Sequence, residues 1–436
     1  MVGMLNRGDV PSLSIACNSG LYMYSPKRVL LLIVLSLLCV FPRESVGAAN
    51  TAEGQGRAQS DSSDRPGLQQ TRLTGDWGGK RQWLRNHGID LESSYTFEIF
   101  SNVAGGVTTQ NATKPLGDFN LMLTLDTEKL GFWKGGSLLV HGENLAGDST
   151  GINAEVGFPI NAVSNLNAPS FTQLSEFYMT QSLAEGSLIL KGGKQYASTD
   201  FIASNITCLF INDGLNPPAN VPMSNFPDAA LGFEALFYPA DLFSIYGGVY
   251  GNEFKRKGFG TNSLFEGGAF WIMQPAIHYS FGDYKGIYRF GAWLNQKDTP
   301  AVSQSPEIFS NNYGLYILFD QQIYQANPEQ QHGPGLSAFF QLSWAPADRN
   351  DVDLSIAGGL VYMGLIPGRE EDNIGCSVII SRPTTKGLTN ETDFELFYQA
   401  SVTPWLTVQP DIQYFNNPAG DGRNALAIGL RSTITF

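Results

Sequence analysis

The stretch that decides the fold is the end of the chain, NALAIGLRSTITF, Asn424–Phe436. Its even positions are Leu426, Ile428, Leu430, Ser432, Ile434 and Phe436. Its odd positions are Ala425, Ala427, Gly429, Arg431, Thr433 and Thr435. Successive side chains of a β-strand point to opposite faces, so this segment has one apolar face and one small or polar face. No glycine–proline break or helical period interrupts it.

Working back from there, the same alternation repeats in the preceding hairpin. Phe394, Leu396, Tyr398, Ala400 and Val402 alternate with Glu395, Phe397, Gln399, Ser401 and Thr403. After a tight Pro404-Trp405 turn, Leu406, Val408, Pro410, Ile412 and Tyr414 alternate with Thr407, Gln409, Asp411, Gln413 and Phe415. From Ile89 to Phe436 about sixteen such stretches follow one another, separated by Gly, Pro, Asn and Asp clusters. Short turns, such as Tyr238–Asp241, Phe281–Gly286 and Thr403–Trp405, alternate with long polar segments at 148–170, 203–226, 254–267 and 296–312. The spacing allows no loop much beyond 25 residues. Short turns on one rim and long loops on the other are the habit of membrane barrels. Alternation alone also suits a soluble sandwich, whose apolar set would form a core. The number of strands, the terminal phenylalanine and the N-terminus favour the inverse geometry, with apolar residues toward lipid and polar ones toward a lumen.

The N-terminus carries an export signal. Lys27 and Arg28 precede the apolar run Val29–Phe41, and small residues follow at Ala48 and Ala49. The run is shorter than the roughly 20 residues a spanning helix needs. We therefore expect residues 1–48 to be a signal peptide, with Met23 an alternative start, and 49–70 to be a disordered linker, being small, polar and nearly devoid of apolar side chains. Residues 71–88 read as a periplasmic segment with one short helix, and 89–436 as the barrel. The expected class is all-β: a sixteen-stranded antiparallel transmembrane β-barrel exported to the bacterial outer membrane.

Composition agrees. Charged residues make up 15 % of the chain, against roughly 25 % in soluble domains, and Gly (48) and aromatics (12 %) are abundant. The net charge of −13 and the lack of a basic stripe argue against a nucleic-acid partner. Cys17 and Cys39 leave with the signal, and Cys208 and Cys376 remain, either as a disulfide or as two thiols.

On a lumen, the polar sets become candidate contacts for a solute. In IYRFGAWLNQ, Tyr288, Phe290, Ala292 and Leu294 share one face, while Arg289, Trp293 and Asn295 share the other. With Glu395, Gln409, Asp411, Gln413 and Arg431 they form the expected substrate path. Trp offers a flat apolar face for pyranose C–H surfaces, and Arg a planar fork for vicinal hydroxyls. The competing expectation is that Arg289 and Arg431 pair with carboxylates such as Glu395 and Asp411 and brace the wall. His141 and Glu143 lie on one face of SLLVHGENL and read as a hydrogen-bonded lumen pair rather than a metal or acid–base site. Gly75-Asp76-Trp77-Gly78-Gly79 lacks the Lys-Ser/Thr of a phosphate loop and reads as a turn at the periplasmic end. Gly147-Asp148-Ser149 offers a serine without a partnered histidine, which weighs against a lipid hydrolase. No cofactor is expected.

Several longer motifs carry a family resemblance. LTGDWGGKRQWLRNHGIDLESSYTFEIFSNVAGG (Leu73–Gly106) resembles the opening of the carbohydrate-selective porins of the OprB type. GKQYASTDFIASN, FPDAALGFEALFYPAD, GLVYMGLIPGREEDN and the closing FYQASVTPWLTVQPDIQYFNNPAG with GLRSTITF are similar to later family segments, in the same order. The final aromatic residue likewise resembles the ending of outer-membrane barrel proteins. The resemblance implies a pore narrowed by inward loops, passive diffusion of small, glucose-like sugars, and a monomer or homotrimer in the outer-membrane bilayer. A general porin without sugar selectivity is the nearest alternative.

Overall fold

The computed structural model describes residues 70–252, 268–282, 284–302, 306–326 and 333–436. The expected signal peptide, nearly all of the linker and the whole 254–267 loop lie outside them. A short helix, α1 (Lys80–Asn86), leads into β1 (Ile89–Gly105), β2 (Thr113–Asp126), β3 (Gly136–Gly147), β4 (Phe171–Leu183) and β5 (Leu188–Gln195). There follow β6 (Ala230–Ala240), β7 (Phe243–Gly251), β8 (Ala269–Phe281) and β9 (Tyr284–Asn295), then a two-residue ribbon of β10 (Thr299–Pro300) and β11 (Ile308–Phe309). The last seven strands are β12 (Asn312–Gln325), β13 (Gly335–Trp344), β14 (Val352–Met363), β15 (Asn373–Pro383), β16 (Glu391–Thr403), β17 (Leu406–Asn416) and β18 (Asn424–Thr435).

Setting the ribbon aside, sixteen strands pair antiparallel, each with its neighbour in sequence, and β1 closes on β18. Closure satisfies every strand edge, which lipid demands because it offers no hydrogen-bond partners. The seam runs from Ser94↔Thr435 to Gly105↔Ala425 with one irregularity between Asn102 and Ala104. The start of β1 and the end of β18 lie at one rim. There Leu73 N–H donates to Thr435 O, Phe436 N–H donates to Ser93 O, and Arg81 of α1 donates to Phe436 O at 2.8 Å.

The alternation read from the sequence turns the wall as expected. On β8, Trp271 and Met273 are exposed on the outside, while Phe270, Ile272 and Gln274 are buried inside. On β16 and β17, Phe394, Leu396, Ile412 and Tyr414 face out, and Glu395, Phe397, Asp411 and Gln413 face in. Aromatics ring the outside near both rims, with Tyr279 against Phe281 at the terminal rim and Tyr313 against Trp344 at the opposite one. Such belts sit at membrane–water interfaces, where an amphipathic ring contacts both phases.

The interior departs from a plain water-filled tube. Two long connections fold into it: residues 148–170, with the short helix α2 (Asn153–Val156), and residues 196–229, with α3 (Ser198–Phe201). The second is longer than any loop the turn spacing suggested. Both carry apolar side chains that pack on the inner wall as small cores. Ile152, Val156 and Val163 meet Phe100, Phe415, Ala425 and Ala427, joined by Ile211 from the second loop. Phe210 inserts edge-on between Phe339 and Phe397, with ring centroids 5.4 and 4.9 Å away.

Candidate transport pathway

The inward loops are held by hydrogen bonds from their backbone to acids and amides on β16–β18. Glu391 accepts from Ile160 N–H (2.8 Å) and Asn161 N–H (3.0 Å), and Asp393 accepts from the Asn161 side chain (2.8 Å). Glu395 accepts from Ile211 N–H (2.6 Å) and Asn212 N–H (3.1 Å). The Gln413 amide donates to Val163 O (2.9 Å), and the Gln409 amide to Leu209 O (2.9 Å). Opposite these, Ser164 donates to Glu98 (2.6 Å), and Arg431 bonds both Glu98 and Asn165. The two loops also pair with each other, Asn165 N–H to Ile211 O and Asp213 N–H to Ala162 O. Buried loop backbone must find partners somewhere, and these side chains supply them. Hydrogen bonds to charged groups contribute about 1.5–3 kcal/mol each, so the loops are fixed walls of the passage.

This geometry revises the roles expected of the site residues. All eight stand on the inner wall, but Glu395, Gln409, Asp411 and Gln413 are buried under the loops. Asp411 accepts from the Gln413 amide (3.0 Å). The arginines do brace the wall, yet with other partners than expected: Arg289 pairs with Asp320 (2.9 Å) and Arg431 with Glu98, not with Glu395 or Asp411. Loop amides have claimed Glu395, and Asp411 accepts from its strand neighbour Gln413. Trp293 is covered as well. It packs on Phe270 in the core under Ile202 and Val221, and its indole lies so close over Gly314 that a Cβ there would strike it at 2.6 Å. Asn295, two residues on, is half-buried near the loop rim.

Cys376 is a free thiol on the outer face of β15, opposite Leu360 and Leu396, so it does not bridge to Cys208 in the inward loop. A side chain aimed at lipid cannot reach across the wall. His141 faces inward by the plain alternation of β3 and bonds Asn120 (2.7 Å) and Glu176 (3.2 Å). Glu143 accepts from Ser175 and Tyr196 instead. Among the described residues no His, Cys, Asp or Glu group is arranged to hold a metal. One serine–histidine contact escaped the sequence reading, Ser244 to His278 at 2.8 Å, but the serine is enclosed by the wall and offers no ester an approach.

Glu391, Asp393, Glu98 and Asp320 were also missed. The first two share the odd face of β16 with Glu395, so parity counting extended four residues further would have found them. The other cations of the inner wall are engaged too. Lys191 pairs with Asp200 (2.6 Å) and Glu234 (3.1 Å), and Lys114 with Asp148 (3.1 Å) and Glu155 (3.4 Å).

An apolar wall closed on itself stands in lipid, and its polar, loop-narrowed interior serves solutes that cross it: the class is an outer-membrane porin. More particularly, the chain belongs to the carbohydrate-selective porin, OprB family, which it matches over residues 110–436. It is 25 % identical to Porin B of Pseudomonas aeruginosa over 419 residues, covering 84 % of this chain and 91 % of that protein. A putative porin, QuiX, of Acinetobacter baylyi is 21 % identical over 411 residues, covering 84 % and 93 %. The high-pH structure of OprB from Pseudomonas putida has the same fold, with a TM-score of 0.75 at 21 % identity over 84 % of this chain and 99 % of that one.

Proposed function

We propose that the chain conducts small uncharged sugars of glucose-like size by passive diffusion, with no coupling and no cofactor. The observation that carries this reading is the double-loop constriction: residues 148–170 and 196–229 are pinned inside the barrel, so the bore is set by fixed protein rather than by the wall alone. Family membership supports the sugar class. The charge arrangement supports an uncharged solute. Arg289, Arg431 and Lys191 are each paired with carboxylates, so among the described residues these wall cations form no unpaired ladder to draw an anion through. Glu395, Gln409, Asp411, Gln413 and Arg431 then act by positioning the loops, and Asn295 and the partly exposed edge of Arg431 remain as direct contacts. One chain completes the lumen, so monomer and homotrimer would conduct alike, and the mass in detergent distinguishes them.

Liposome swelling with the mature protein tests the proposal. Glucose is expected to enter faster than an amino acid of similar size. Rates ranked by solute size alone would make this a general diffusion porin, and no swelling from a folded barrel would overturn the channel reading.

A further inference from the structure

Below the constriction, toward the rim where β1 begins and β18 ends, the lumen widens into a recess of about 210 Å³ between the 196–229 loop and the β12–β15 wall. At roughly 30 Å³ per water it holds on the order of seven waters, room enough for a pyranose ring. Its polar lining is Asn205, Gln322, Ser337 and Asn373. These stand near the terminal-rim ends of their strands, or, for Asn205, on the loop above. Leu209, Val361 and Met363 supply apolar surface beside them. Among the described residues no ionisable side chain lines it, in contrast to the carboxylate-rich contacts that hold the loops above.

Of its polar groups Gln322 is engaged, its amide donating to Gln325 (3.1 Å) and its oxygen accepting from Lys285 N–H (3.3 Å), while the others keep hydrogen-bonding capacity. The side chains of Asn205 and Ser337 make no hydrogen bond among the described residues. Asn373 donates to Gln399 (3.1 Å) and keeps its carbonyl oxygen free to accept. Gln399 in turn donates to Gln409 (3.0 Å), and Gln409 to Leu209 O, so a chain of neutral amides runs from the recess to the base of the loop. Uncharged donors and acceptors beside aliphatic surface match a sugar, which presents hydroxyls around its edge and C–H bonds on its faces. They match an ion poorly, because nothing here replaces its hydration with charge.

We propose that this recess is a second sugar-binding station on the periplasmic side of the constriction, where an uncharged hexose pauses between the narrow passage and the exit. The inference rests on the sugar-porin reading above. A pore with two weak sites in series releases its solute more readily than one with a single tight site, since conduction needs binding that is both favourable and easily left.

The test is sugar-induced current noise in planar bilayers, with glucose or maltose added to one side at a time and each variant normalised to its own salt conductance. Ser337→Ala removes the hydroxyl without adding bulk, and Asn373→Ala removes the amide. Asn205→Ala alters only an exposed loop side chain, which guards against loss of folding. Each lost hydrogen bond is expected to weaken apparent sugar affinity about fivefold, with the larger effect for sugar added from the terminal side. Weakened binding in any folded variant supports the station. Wild-type affinity in all three overturns it while leaving the sugar-porin reading intact. A wild-type channel that carries salt but shows no sugar-dependent noise would overturn that broader reading.

Discussion

Glu395 is one side chain that sets the position of a whole loop, because two successive backbone N–H groups, of Ile211 and Asn212, end on its two oxygens. In Glu395→Gln one oxygen becomes an amide donor that faces an N–H. The loop should lose about 1.5–3 kcal/mol of anchoring. The expected outcome is a larger single-channel conductance and faster swelling with a trisaccharide, measured against wild type. Asp213, on the same loop, is half-buried, and burial pushes its carboxyl up to about 7. A folded-state value raised above the unfolded one favours the packed loop while the carboxyl is protonated, and that contribution is lost as pH rises through about 7. Corrected for the base-catalysed rise common to all amides, the exchange protection of residues 207–216 should therefore fall between pH 5 and 8, and Asp213→Asn should flatten the change. If wild-type protection stays constant, the assignment to Asp213 is wrong. At this scale the sequence was legible in direction but not in partnership. Parity placed Arg289, Trp293 and Glu395 on the inner face. It carried no information on which loop atoms would arrive there, because those contacts join residues far apart along the chain.

At the scale of elements, the strands were legible because lipid imposes a period of two on every one of them. The loops obey no such rule. The 196–229 segment is rich in Pro and Asn, turns repeatedly, and buries Phe210, Ile211 and Leu215 inside the barrel, an apolar trio that reads along the sequence as part of an irregular surface loop. Its packing is nonetheless that of a core. Phe210→Ala removes a ring wedged between Phe339 and Phe397 and should cost about 3–5 kcal/mol of loop docking. The barrel itself should still form, since its wall hydrogen bonds are untouched. We expect normal heat-modifiable mobility on gels with a higher and noisier conductance. A conductance equal to wild type would show that the loop stays docked without that ring.

Across the whole molecule, the seam between β1 and β18 is the one place where the chain must find its own beginning, and the N-terminal segment is folded over it. Arg81 reaches Phe436 O and Thr74, with its guanidinium over the Trp77 ring at 4.2 Å. Arg81→Ala should lower barrel stability by about 1.5–3 kcal/mol, visible as a lower temperature at which the unboiled protein loses its compact gel form. An unchanged temperature would mean that the strand pairing alone secures the seam. The terminal phenylalanine and the turn-forming Gly75–Gly79 were readable as rim features, but the clasp between them was not, since it joins residues 355 positions apart.

The loop anchors also impose an order of events. Ile211 meets Glu395 across 184 positions of sequence, and Val163 meets Gln413 across 250. The loops are made early and their docking partners nearly last, so a growing or newly exported chain has nowhere to seat them. Ring closure over such separations is slow, because its entropy is lost before any contact returns it. Closing the barrel spans more still, from Ser94 to Thr435, so the narrow passage and the closed wall both wait on the last three strands, and a molecule halted short of them would have neither.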